Sequence, residues 1–152
     1  IKFTNGFENE FIMIEDDFKY LHILIIDDEA FMRKLIERTL SDIGVGIVSQ
    51  ASNGREGLSL LQSAKSKVDL VVCDLEMPEM NGFDFVKQVR SSSDERLDSA
   101  VPILILTGHA DEETVRGAAN LGINGYLIKP ISRKSLEGRI LKSIKTPAMK
   151  NN

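Results

Sequence analysis

Polar residues stand where the apolar runs of this chain stop. HILII (22–26) leads into Asp27, Asp28 and Glu29, and DLVVC (69–73) leads into Asp74, with Glu76 two residues further on. PILIL (102–106) is followed by Thr107-Gly108, and NGYLI (124–128) by Lys129-Pro130. A carboxylate can attack phosphorus and form an acyl phosphate. That reaction needs mainly positioning and neutralisation of the phosphoryl oxygens. A metal ion can hold one such oxygen, the Lys129 ammonium a second, and the Thr107 hydroxyl with nearby backbone N–H groups a third. Two carboxylates ~5 Å apart repel by roughly 3 kcal/mol at an effective dielectric near 20. Clustered acids therefore raise one another's pKa unless a cation compensates, and Lys129 supplies one charge. An all-oxygen ligand set without His or Cys suits a hard divalent ion, and Mg²⁺ is the usual one beside phosphate.

These groups can meet only if the runs are neighbouring strands. Four of the five runs are near-continuous in apolar residues, the pattern of strands covered on both faces of a parallel sheet. The remaining run, GIVSQA (46–51), alternates more and fits an edge. Helical patterns lie between them. Phe31, Leu35, Ile36, Thr39 and Leu40 form the first stripe, and Leu58, Leu60 and Leu61 the second. Phe83, Val86 and Val89 form the third, Val115, Ala118 and Ala119 the fourth, and Leu136, Ile140, Leu141 and Ile144 the fifth. Ser132 is placed to cap the fifth helix and Gly122 to end the fourth. The polar stretch SSSDERLDSA (91–100) is the longest connection and the one expected to move or vary most. The result is an α/β chain of (βα)5 form, a doubly wound five-stranded parallel sheet. Right-handed crossovers give it the flavodoxin-like strand order 2-1-3-4-5. Its crevice opens at the C-terminal ends of the first and third strands. That is where Asp27, Asp28 and Asp74 would converge, with Thr107 and Lys129 on the same edge.

Each polar residue has a plainer reading. Asp28 can cap the first helix with Glu29 in its first turn, Asp74 a turn before Pro78, and Thr107 the fourth helix. Lys129 can be a surface cation on a packed stem. Taken together, those readings require four strands of one sheet to end in matched polar groups by accident.

The remaining features set limits. The 152 residues suit one domain, and 42% hydrophobic against 28% charged is an ordinary globular balance. No apolar stretch approaches the ~20 residues that span a bilayer, and there is no recognisable secretory leader. A lone cysteine, Cys73, forms no internal disulfide and reads as a small core residue. A cytoplasmic home, with no membrane partner, is the expectation. The net charge is -4, and the first 20 residues set Lys2 and Lys19 against Glu8, Glu10, Glu15, Asp16 and Asp17. No broad positive field invites nucleic acid. Arg133, Lys134, Arg139, Lys142, Lys145 and Lys150 crowd the last stretch, as a solvated helix face with cations toward its C-terminal end or as a partner surface.

The segments ILIIDDE, DLEMPEMNG, ILTGHA and YLIKP, in this order and spacing, resemble the receiver domains of two-component response regulators. The resemblance covers residues 21 to about 145, and the chemotaxis response regulator is itself a standard example of the strand order above. It implies that Asp74 is the phosphoacceptor. It implies that Asp27 and Asp28 hold Mg²⁺ together with Asp74, Asp28 more directly and Asp27 through water, and that the Glu76 backbone carbonyl completes the set. Thr107 and Lys129 would bind the phosphoryl group, the lysine aimed by a cis Lys129-Pro130 bond of the kind that costs only ~0.5–1 kcal/mol. Tyr126, three residues before Lys129, stands at the family's switching aromatic. Met77-Pro78 and Asn81-Gly82 shape the loop after Asp74 and start the third helix. Glu76 and His109 occupy variable positions that overlook the phosphoryl site, and His109 is not expected to ligate metal or relay phosphate.

The implied partners are a histidine kinase or phosphotransfer protein upstream, and downstream a separate protein or an attached output domain that reads the helix 4–strand 5–helix 5 face. A homodimer is an open option. The chain would be no enzyme beyond catalysing its own phosphorylation and dephosphorylation. The expected layout is an acidic extension at 1–20 (a tail or a packed segment), a receiver at 21–145, and a tail or linker start at 146–152. An aspartyl-nucleophile, Mg²⁺-dependent phosphatase similar to the haloacid dehalogenases would want DxD after the first strand and a later acidic pair, which the sequence lacks. A flavodoxin-like FMN binder would want a Ser/Thr-rich loop where this chain has DDE. A degenerate receiver would have lost a reactive position, and every one is filled.

Overall fold

The computed structural model describes residues 3–4, 11–12, 15–109 and 111–150. The apolar runs form β1 (His22–Ile26), β2 (Ile47–Ala51), β3 (Leu70–Asp74), β4 (Ile103–Thr107) and β5 (Gly125–Ile128). All pair in parallel, in the order β2-β1-β3-β4-β5. Every residue of β1, β3 and β4 is buried, as their continuous hydrophobicity requires. The alternating β2 takes an edge, where Ile47 is exposed.

The helices α1 (Ala30–Ile43), α2 (Gly54–Ser63), α3 (Gly82–Arg90), α4 (Glu112–Asn120) and α5 (Arg133–Lys150) fill the crossovers. On one face, Ile36 and Leu40 of α1 and Leu136 and Ile140 of α5 pack on Ile23, Ile25, Val72 and Leu104. On the other, Leu61 of α2 and Phe85, Val86 and Val89 of α3 pack on Leu24, Ile26, Val71 and Ile105. Each such side chain, fully buried, stabilises by about 1.5–3 kcal/mol. Local chemistry fixes the helix starts. Asn53 caps α2, Asn81 and Asp84 form a reciprocal capping box on α3, and Ser132 accepts from the Ser135 N–H at the start of α5. Gly122, with φ of 78°, follows the end of α4 as expected.

Three expectations about the core fail. Phe31 is 77% and Leu35 41% exposed, so they are not part of the buried stripe of α1. The stripe is Ile36, Leu40 and Ile43, and residues 35 and 31 lie about 100° and about 150° round the helix from it. Ala119 is also exposed, leaving Ala118 as the buried small residue of α4. The Val115 side chain lies outside the described residues. The connection 91–100 is held in its second half: Leu97 is buried, and Arg90 donates to Ser99 O at 2.8 Å.

The N-terminal segment contributes to the domain. Glu15–Tyr20 forms a 3-10 helix whose Asp17 and Phe18 are buried, Phe18 joining the α1/α5 core. The Gly46 N–H donates to Phe18 O at 3.3 Å, and a Cβ at Gly46 would overlap Lys19 O. Phe3–Thr4 pairs antiparallel with Phe11–Ile12, which lies against α5. Met13 and Ile14, which follow, lie outside the described residues.

Candidate functional site

The parallel register brings the strand ends to one edge. β1 stops beside β3, and carboxylate oxygens of Asp27, Asp28 and Asp74 lie within 4.8 Å of one another. Asp27 and Asp74 are buried and Asp28 is exposed. The arrangement has the form of a cup with two acids in its floor and one on its rim.

Neighbours fix each acid. Asp27 Oδ1 accepts from the Glu29 N–H at 2.8 Å. Arg33 Nη1 donates to the Asp27 carbonyl at 2.7 Å and holds the strand end from α1. The α1 N-cap position falls to Glu29, without a side-chain bond, so Asp28 does not serve as its cap. Behind Asp74, the start of α3 comes so close that only glycine fits. A Cβ on Gly82 would stand 2.7 Å from Asp74 O, and the Gly82 N–H donates to Leu75 O at 2.9 Å.

Lys129 supplies the compensating charge. Its Nζ lies 2.8 Å from Asp74 Oδ1 and 4.0 Å from Asp27 Oδ2. The first contact is a charge-assisted hydrogen bond in which Lys129 donates. The second is only ionic, and the buried Asp27 Oδ2 has no hydrogen-bond partner among the described residues. The Lys129–Pro130 bond is cis, as the resemblance implies. One ammonium does not balance the cluster. Burial, reinforced by Asp74 and Asp28, pushes the Asp27 carboxyl up to about 6, against the lowering pull of the Glu29 N–H and Lys129. Burial also raises Asp74, with Lys129 opposing and Glu76 and Asp28 adding to the rise. Lys129 is itself held above the ordinary lysine range: burial works against its charge, but Asp74 and Asp27 outweigh it. Oxygen donors, an excess of negative charge and an orphaned Asp27 Oδ2 together fit a hard divalent cation.

Thr107, at the end of β4, is 1% exposed. Its Oγ1 lies 2.9 Å from Glu76 Oε1, and the His109 N–H donates to it at 3.0 Å. Tyr126 is half-buried on β5, with the Arg139 guanidinium 5.9 Å from its ring. His109 is exposed. Cys73 is buried and bonds Asp74 O through Sγ at 3.4 Å, and burial pushes its thiol far above the usual range, leaving it unreactive. Two contacts had no warning in the sequence: Arg33 on the Asp27 carbonyl, and the Glu76 side chain on Thr107. The only available signal was a cation one turn into the helix that follows the acids.

The sequence profile of the response regulator receiver domain matches residues 23–141. The chain is 36% identical to chemotaxis protein CheY-3 of Vibrio cholerae, over 80% of this chain and 90% of that protein. It is 37% identical to chemotaxis protein CheY of Pseudomonas aeruginosa, over 80% of this chain and 94% of that one. Among solved structures, a response regulator receiver domain protein from Clostridium thermocellum superposes with a TM-score of 0.75 at 28% identity, covering 86% of this chain and 98% of that chain.

Proposed function

Since the chain belongs to the response regulator receiver family of two-component signalling, we propose that it works as a phospho-switch whose acceptor is Asp74. The family is a signalling domain, and the phosphatase alternative is not favoured. A phosphorylated histidine, on a kinase or a phosphotransfer protein, is the donor. The P–N bond breaks as a P–O bond forms to the Asp74 carboxylate, and the electron pair leaves on the donor nitrogen. The observation that carries this reading is the 2.8 Å approach of Lys129 Nζ to Asp74 Oδ1 at the mouth of the Asp27–Asp28–Asp74 cup.

Lys129 orients Asp74 and then neutralises one phosphoryl oxygen, and the Thr107 hydroxyl takes another. Asp27, Asp28, Asp74 and the Glu76 carbonyl would hold Mg²⁺, which when bound offsets charge on the reacting oxygens. Phosphorylation adds roughly -1.5 to -2 charges. Thr107 then moves toward them, Tyr126 follows, and the α4–β5–α5 face is read by a downstream protein or an attached output domain. The receiver unit extends over 21–145 with Glu15–Tyr20 as its support, and the expected tail or linker start at 146–152 begins inside α5, which continues to Lys150. It acts in the cytoplasm, as a monomer or homodimer, and catalyses only its own phosphorylation and dephosphorylation. Among the described residues no helix is long and apolar enough to cross a membrane.

Incubation with acetyl phosphate and Mg²⁺ tests the assignment. One phosphoryl group should add, stable in acid and labile to base and hydroxylamine. Asp74→Asn keeps the shape and removes the nucleophile, so mass spectrometry should find no adduct. Full labelling of that variant would overturn the assignment.

A further inference from the structure

In the unphosphorylated chain the Thr107 hydroxyl is already engaged by a carboxylate. A hydroxyl offers one proton and two acceptor positions. The His109 N–H fills an acceptor position at 3.0 Å. Two oxygens compete for the proton, Glu76 Oε1 at 2.9 Å and the His109 carbonyl at 3.0 Å. The charged oxygen is the stronger acceptor. Thr107 is buried, so few other groups reach this hydroxyl, whereas Glu76 is exposed to solvent. Glu76 also acts on the other parts of the cleft. Burial is the largest influence on Asp74 and Lys129, and Glu76 adds an upward push on both.

We propose that the Glu76 carboxylate is a resident stand-in for a phosphoryl oxygen, holding the Thr107 hydroxyl in the resting chain and competing with the anion that arrives on Asp74. The inference rests on Asp74 as acceptor. It makes Glu76 a positioning residue through its side chain, apart from any part its carbonyl plays. An anion on Asp74 has to displace this carboxylate and work against its charge. The equilibrium between resting and anion-bound forms is then set by the residue two places after the acceptor.

The test measures beryllofluoride affinity at saturating Mg²⁺ in the unaltered chain, Glu76→Gln and Glu76→Ala. Gln keeps an acceptor for Thr107 but drops the charge; Ala drops both. At low salt both variants should bind about three- to tenfold tighter, with the gap narrowing as salt is raised, because the lost repulsion is electrostatic and partly exposed. A purely structural role for Glu76 would give no such salt dependence. Without Mg²⁺ or beryllofluoride, the Thr107 methyl NMR signal should move in Glu76→Ala and much less in Glu76→Gln. Equal affinities for all three proteins, or an unmoved methyl signal in Glu76→Ala, overturns the inference while leaving Asp74 in place. Failure of the unaltered chain to form any adduct overturns the acceptor assignment instead, and the methyl comparison then still tests the hold of Glu76 on Thr107.

Discussion

Arg90, in the last turn of α3, donates through Nε and Nη2 to the carbonyl of Gly122 at 3.2 and 3.0 Å. Through Nη1 it also binds Ser99 O, so one guanidinium ties the end of α3 to the connections on either side of β4. The C-terminal end of α4 is thereby pinned, while its other end is separated from Thr107 by the connection 108–111. Arg90→Ala should cost about 2 kcal/mol, because two carbonyls lose charged donors. Arg90→Lys, with no planar fork, should recover only part of that. Urea unfolding followed by circular dichroism measures both, and an unchanged midpoint in Arg90→Ala would show the clasp to be idle.

The buried acid pair makes stability depend on pH in a direction opposite to common acid denaturation. Asp27 is held up to about 6 when folded, against about 3.9 for an unfolded aspartate. Between those values the folded chain binds more protons than the unfolded one, so stability without metal should rise as pH falls from 7 toward 5. Asp74 acts with the same sign. Asp27→Asn should be more stable than the unaltered chain at pH 7 without metal, by on the order of 2 kcal/mol, and should lose most of the slope. Thermal melts in chelator at several pH values check it. A slope that survives intact in the variant would assign the effect to other groups.

Asp28 is the exposed acid of the cup, and it can meet a cation without first leaving the core. Asp28→Ala should weaken Mg²⁺ binding by about tenfold or more while leaving the fold intact. Titration followed by tyrosine fluorescence or amide NMR reads the affinity. Unchanged binding would remove Asp28 from the ligand set.

Phe18 precedes β1 yet is 1% exposed in the α1/α5 core. Phe18→Ala should destabilise by about 3–4 kcal/mol, the range for a fully buried aromatic. Calorimetry would detect it at once. A loss under about 0.5 kcal/mol, which is surface-like behaviour, would mean that the segment leaves the core in solution.

The contrast between Phe18 and Asp74 shows what the sequence displays. Asp74 was legible because a parallel strand writes its own limits: continuous apolar residues, then the first polar group, at the edge where the crevice opens. Lys129 and Thr107 were legible for the same reason, and α3 by the spacing of Phe83, Val86 and Val89. Phe18 was not, because a six-residue 3-10 segment has neither helical nor strand periodicity to reveal its buried side. Phe31 and Leu35 misled because α1 carries apolar residues on more than one face, and composition does not say which face meets the sheet. The bonds from Arg33 to the Asp27 carbonyl and from Glu76 to Thr107 join residues whose pairing exists only in three dimensions, so no spacing rule announces them.

Cys73, fully buried one residue before Asp74 and the only thiol in the chain, gives the molecule a built-in clock. A thiol reagent cannot reach it until the strand that carries the acceptor parts from its neighbours. Its rate of modification therefore counts openings of the central sheet, separately from the fraying of helices or loops. Comparing that rate with and without an anion on Asp74 would state, in kinetic terms, how far charge at the rim tightens the middle of the protein.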